Sequence, residues 1–124
     1  MNMVDASGWI EYLMDTPRAD LFAPAIEDGP RLLVTSISLY EVHRVLSRKL
    51  PNHLRDTCLM LMRRVPIIDF TDARAIAAAD LSSKHQLAMA DAAMYAMALE
   101  RQATLWTQDA DYQGLAGVQY FPKS

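Results

Sequence analysis

The residues of this chain best suited to chemistry are carboxylates, and the most telling of them is Asp91. From Met89 to Leu99 every other residue is apolar: Met89, Ala90, Ala92, Ala93, Met94, Tyr95, Ala96, Met97, Ala98 and Leu99. A helix apolar on nearly every face is normally a buried one, and an unpaired carboxylate taken out of water is strongly destabilising. The positions one turn away, Leu87, Ala88, Met94 and Tyr95, offer no basic partner. The compensating group must therefore come from elsewhere in the fold. Beyond the helix, Ala103 to Thr107 reads as a short buried strand, followed by Gln108, Asp109 and, past Ala110, Asp111. A helix packed on such a strand can bring Asp91 and Asp109 to one end of a sheet, where acids repel unless divalent cations neutralise them. Each acid also has a structural explanation. Asp91 can sit in a first helical turn, where the macrodipole favours negative charge, and Asp109 or Asp111 can cap a turn. A site requires further acids to converge with them.

The elements that must position these acids follow in chain order. Met3-Val4-Asp5-Ala6 is a very short strand ending at an acid, and Ser7 opens a helix through Asp15 with Ile10, Leu13 and Met14 at helical spacing. A second helix spans roughly Ala19 to Asp28, with Pro24 expected to kink it or delay its start. Arg31 to Thr35 is the second strand. The next helix is expected to begin at Ser38, with Ser38 and Glu41 forming a capping box. That would explain Glu41 structurally and also fix it near the strand's carboxyl end. Arg44 and Arg48 follow on the same side as Glu41. After Pro51 comes a helix with Leu54, Cys58 and Leu61 on one face; Val65 to Phe70 is the third strand, and Thr71 caps a fifth helix to about His85. The Asp91 helix, the Thr104 strand and a last strand at Val118 to Phe121 complete the chain. Strands alternate with helices throughout, which predicts one α/β domain over residues 1–124 with a mainly parallel sheet. Sites in such folds form beyond the carboxyl ends of the strands, and Asp5, Glu41, Asp91 and Asp109 all follow or face strand ends.

Composition sets the outer limits. An apolar fraction of 52% with 22% charged residues is globular rather than disordered. The start MNMVDA has no basic segment leading an apolar run, and no stretch is long enough to span a bilayer. The single cysteine, Cys58, has no partner for a disulfide or a thiolate metal site. Together these favour the cytoplasm. The net charge of -3 hides a positive middle segment, where residues 41–70 carry six bases against three acids. A basic belt of Arg44, Arg48, Lys49, Arg55, Arg63 and Arg64 beside clustered acids is what an enzyme acting on a polyanion would need.

With VDAS near the start, SISLYEV before the middle helix, LAMADAAMYAMA, and LWTQDADYQGLAGVQYFPK at the end, the whole chain resembles the PIN domain family. It is most similar to the VapC-type toxins of bacterial toxin-antitoxin pairs. The resemblance implies a five-stranded sheet of order 3-2-1-4-5 and Mg²⁺- or Mn²⁺-dependent cleavage of RNA. It implies a metal site on Asp5, Glu41, Asp91 and Asp109, with Ser7 and Thr107 as the hydroxyl residues commonly found near the first and fourth acids. Asp111 matches a commonly acidic position, and Tyr112 stands where phenylalanine is more usual, which reads as a packing variation. A small antitoxin inserting Arg or Lys among the carboxylates is implied, as is a homodimer.

The residues agree with that chemistry independently. Carboxylates are hard ligands suited to Mg²⁺ or Mn²⁺, and such ions can generate hydroxide, orient a phosphate and stabilise the leaving oxygen. The expected products carry a 5′-phosphate and a 3′-hydroxyl. Arg44 and Arg48 are candidate RNA contacts. His43, His53 and His85 are scattered and read as surface or packing residues. Two other classes compete. A phosphoacceptor receiver domain would use Asp69 as acceptor, Thr107 as switch hydroxyl and Lys123 as cation; an inactive binding module would keep the fold alone.

Overall fold

The computed structural model describes residues 1–123. Strand β1 (Asn2–Val4) leads into α1 (Ala6–Leu13) and α2 (Ala19–Ile26), then β2 (Leu32–Thr35), α3 (Ser36–Lys49) and α4 (Asn52–Met62). The second half holds β3 (Ile67–Ile68), α5 (Asp72–His85), α6 (Met89–Glu100), β4 (Thr104–Thr107) and β5 (Val118–Tyr120). The strands form one sheet of order β3-β2-β1-β4-β5, with every pairing parallel. This is the order that the sequence resemblance implied.

Side chains alternate across a strand, and here the alternation sorts residues into two cores. Met3, Leu33 and Leu105 face α5 and α6 in one cluster, whereas Val4, Leu32 and Val34 meet Trp9, Phe22, Val42, Leu46 and Met62 in the other. A sheet covered on both faces needs near-continuous apolar strands, and β2 is accordingly buried at all four positions. In α6, Ala92 through Ala98 are buried without interruption. The helix is thus enclosed as its composition demands. Its many alanines allow close approach to α5.

Several boundaries differ from the sequence reading. The short 3₁₀ turn Gly29–Arg31 absorbs Arg31, so β2 begins at Leu32. Pro24 lies inside α2 and leaves the Asp20 carbonyl without its i+4 donor, yet the helix continues to Ile26. The third strand shrinks to two residues because Pro66 precedes it and it pairs on one side only, against Val34 and Thr35. Thr71 does cap α5, its side chain accepting from the Arg74 N–H. Gln86, at φ 59°, ends that helix in the left-handed region, and the Ser82 hydroxyl donates to the Leu87 carbonyl at 2.6 Å. This tight reversal delivers the start of α6 to the carboxyl edge of the sheet.

Gly8 is required by packing. A Cβ there would stand 2.7 Å from the Phe22 ring and from Val4 Cγ1. The missing side chain lets α1 press onto α2 and hold its own N-terminus, with Asp5, at the end of β1.

Candidate metal centre at the carboxyl edge of the sheet

Asp5 is the residue after β1 and the N-cap of α1. Its Oδ1 accepts from the Gly8 N–H at 2.9 Å, and its Oδ2 accepts from the Thr107 hydroxyl at 2.5 Å. The capping role weighed for it from sequence is therefore real. It leaves the acid in an unusual place, only 7% exposed. Burial drives its pKa up to about 6, opposed by the Thr107 and Gly8 hydrogen bonds and reinforced by repulsion from Asp109 and Asp91. Thr107 closes β4 and acts twice, since its oxygen also accepts from the Asp109 N–H at 3.0 Å. One hydroxyl thereby ties the first acid to the fourth.

Glu41 requires a correction. Helix α3 starts at Ser36, two residues earlier than expected, and the capping box is formed by Thr35 and Ser38. The Thr35 side chain accepts from the Ser38 N–H and the Ser38 hydroxyl accepts from the Thr35 N–H, which satisfies both backbone donors. Glu41 is consequently one turn further into the helix and caps nothing. Its carboxyl is half-buried and its pKa is raised, first by desolvation and then by Asp91 and Asp5, with Arg44 working the other way.

Asp91 occupies the first turn of α6, as its structural explanation supposed. Desolvation and then Asp109 raise its pKa, and the Tyr112 hydroxyl lowers it again. Asp109 caps the 3₁₀ turn Ala110–Tyr112, its Oδ1 accepting from the Asp111 N–H at 2.9 Å. The first-turn position of Asp91 and the capping role of Asp109 are thus both real, and the acids converge as well. Asp91, Asp109 and Asp111 each offer an oxygen within 4.8 Å of the other two. Asp5, Glu41, Asp91 and Asp109 all line one concavity of about 200 Å³, together with Ser7, Arg44 and Tyr112. The close trio thus includes Asp111, whose role the sequence left open, while Asp5 and Glu41 line the concavity with Asp91 and Asp109.

The chemistry of this cleft fits a hard divalent cation. Every potential ligand is a carboxylate oxygen, three of the acids carry raised pKa values that added positive charge would relieve, and the Ser7 oxygen is buried beside them without a hydrogen-bond partner. An orphaned hydroxyl of this kind calls for a group not supplied by the protein.

Other expectations are separated from the cleft. Arg44 lines it, but Arg48 is exposed and does not. Arg55, from the basic belt, is engaged by Asp56, Asn52 and Ser47. Asp69 lies exposed beyond edge strand β3 and borders a different hollow with Tyr40 and His43; Lys123 is exposed. The sheet order and the position of Asp69 remove the receiver alternative, whose acceptor belongs at a central strand end. His85 packs edge-on against Tyr95, and His43 pairs with Ser47.

Two residues carry more than the sequence reading gave them. Tyr112, read as a packing variation, is buried, and its hydroxyl reaches both the Asp91 carbonyl at 2.9 Å and Asp91 Oδ1 at 3.3 Å. Arg18 holds the chain end behind the site, donating to Gln108 Oε1 at 2.6 Å and to the Phe121 and Pro122 carbonyls. A buried tyrosine needs a partner for its hydroxyl, so TQDADY held a usable signal; Arg18 had none.

A family model described as "PIN domain" matches residues 3–118. No match is found among curated proteins. Among solved structures, a toxin-antitoxin complex from Klebsiella pneumoniae is similar at a TM-score of 0.82, with 20% identity and 96% of each chain covered. VapC20 of Mycobacterium tuberculosis, described as a Sarcin-Ricin loop cleaving toxin, is similar at 0.80, with 17% identity over 98% of this chain and 100% of that one. FitAcB from Neisseria gonorrhoeae is similar at 0.68, with 20% identity over 98% and 97%. With the matched segment covering nearly the whole chain and both its sheet order and its converging acids accounted for, this protein belongs to the PIN domain family.

Proposed function

We propose that this protein is a metal-dependent endoribonuclease and the toxin of a type II toxin-antitoxin module. The observation that carries this reading is the convergence of Asp5, Glu41, Asp91 and Asp109 on one cleft that also contains Arg44. Acids alone would repel an RNA phosphate. Mg²⁺ or Mn²⁺ would be held among Asp5, Glu41, Asp91 and Asp109, with Asp111 close to the last two, and would make the cleft receptive to one. The chemistry such an ion supplies is acidification of water and neutralisation of phosphate charge. Arg44, exposed at the rim, binds and orients the phosphate. Thr107 and the Gly8 N–H keep Asp5 in place, and the Ser7 hydroxyl is free to hold water or substrate.

The likeness to a toxin-antitoxin complex and to a toxin described as cleaving the Sarcin-Ricin loop supports the same reading. A cognate antitoxin would place an Arg or Lys among the carboxylates. The surface for a homodimer is the α5–α6 face, where Ile76 and Met89 are exposed beside a small-residue hollow. Among the described residues no helix is long and apolar enough to cross a membrane, and we place the protein in the cytoplasm.

The reading is tested by an RNA with a single 2′-deoxy sugar at the scissile position. Attack by water predicts continued cutting to a 5′-phosphate and a 3′-hydroxyl. Binding without cutting would mean that the ribose 2′-hydroxyl is the nucleophile, and would overturn the mechanism.

A further inference from the structure

We infer that Tyr112 is a positioning residue of the metal centre, acting through Asp91. This inference rests on the metal-dependent reading of the cleft given above. Two of the other acids are anchored by hydrogen bonds: Asp5 by the Gly8 N–H and the Thr107 hydroxyl, and Asp109 by the Asp111 N–H. Among the described residues, the Tyr112 hydroxyl is the only hydrogen-bond donor to the Asp91 side chain.

The geometry suits that task. Tyr112 follows Asp109 and Asp111 on the 3₁₀ turn after β4, while Asp91 belongs to α6. Its hydroxyl grips the Asp91 carbonyl at 2.9 Å and the carboxylate Oδ1 at 3.3 Å. Backbone and side chain of one residue are thereby held by a single group, which fixes the carboxylate relative to the helix. Oδ2 is left without a donor among the described residues and is free for a cation. Because Asp109 and Asp111 share the turn with Tyr112, the same contact sets the distance between the two halves of the acidic trio. The ring itself is 1% exposed and packs against Tyr95. Its apolar part serves the core and its oxygen serves the site, so the two roles can be separated by removing one atom.

The test is calorimetric titration of Mn²⁺ into wild type, Tyr112→Phe and Asp91→Asn, with thermal melting of each protein without metal. The expected result is a fall in Mn²⁺ affinity of about tenfold in Tyr112→Phe, as for other groups that orient metal ligands, with the metal-free melting temperature little changed. Unchanged affinity in Tyr112→Phe would overturn the inference while leaving the metal centre intact. Failure of Tyr112→Phe to fold would also overturn it, by assigning the hydroxyl to the fold. Absence of Mn²⁺ binding in wild type would instead bring down the metal-dependent reading, and this inference with it.

Discussion

The Thr107 hydroxyl donates to Asp5 Oδ2 at 2.5 Å, joining the carboxyl ends of neighbouring strands β4 and β1. The donor is fully buried and its acceptor nearly so. A hydrogen bond to a charged group in that setting contributes roughly 1.5–3 kcal/mol. Thr107→Val keeps the shape and deletes the donor, and it also deprives the Asp109 N–H of its acceptor. We expect a loss of about 2 kcal/mol in urea unfolding at neutral pH, with Thr107→Ser close to wild type. Equal stability of the valine variant would refute a structural role for this bond.

Metal-free stability should fall as pH rises through the acidic range. Asp5 has a folded pKa of about 6 against an ordinary 3.8. An acid raised in this way binds more protons folded than unfolded between those values, so its contribution favours the native state at low pH and is lost by about pH 6. The difference is on the order of 3 kcal/mol. Asp5→Asn stays neutral and can still cap α1. Its melting temperature without metal should exceed that of wild type at neutral pH, and the gap should close toward pH 4. Added Mn²⁺ should stabilise wild type, because it binds only the native cleft, and should do so weakly in the variant. A gap independent of pH would contradict the assigned pKa.

Arg44 and Arg48 are one helical turn apart, yet only Arg44 borders the acids. Arg44→Ala, in an Asp91→Asn background that prevents cutting, should weaken RNA binding by roughly tenfold and lower its salt dependence by about one phosphate contact. Arg48→Ala should change less. Fluorescence anisotropy across a salt series distinguishes them, and equal effects would make the cleft assignment of Arg44 untenable.

Much of this was legible in the sequence, for definable reasons. The sheet and its helices follow from apolar periodicity, and Asp91 stood out because Ala92 to Ala98 could only be buried. What failed were choices between competing local patterns. Thr35-x-x-Ser38 and Ser38-x-x-Glu41 both offer capping boxes, and the first is the one that forms. That shift changed Glu41 from a residue with a structural excuse into one without. The Tyr112–Asp91 contact spans 21 residues and the Arg18–Gln108 contact 90, and nothing local encodes either. Asp111 joined the acidic trio through the 3₁₀ turn that begins beside it, a geometry too short to leave a periodic signature.

The most direct measurement is cleavage of an end-labelled, structured RNA pool by the purified protein with Mg²⁺ or Mn²⁺ and with EDTA, comparing wild type with Asp91→Asn. We expect metal-dependent cutting to 5′-phosphate and 3′-hydroxyl ends, abolished by EDTA and lost in a variant that still folds by circular dichroism. Cutting that survives in EDTA, or undiminished cutting by Asp91→Asn, would contradict the proposed function.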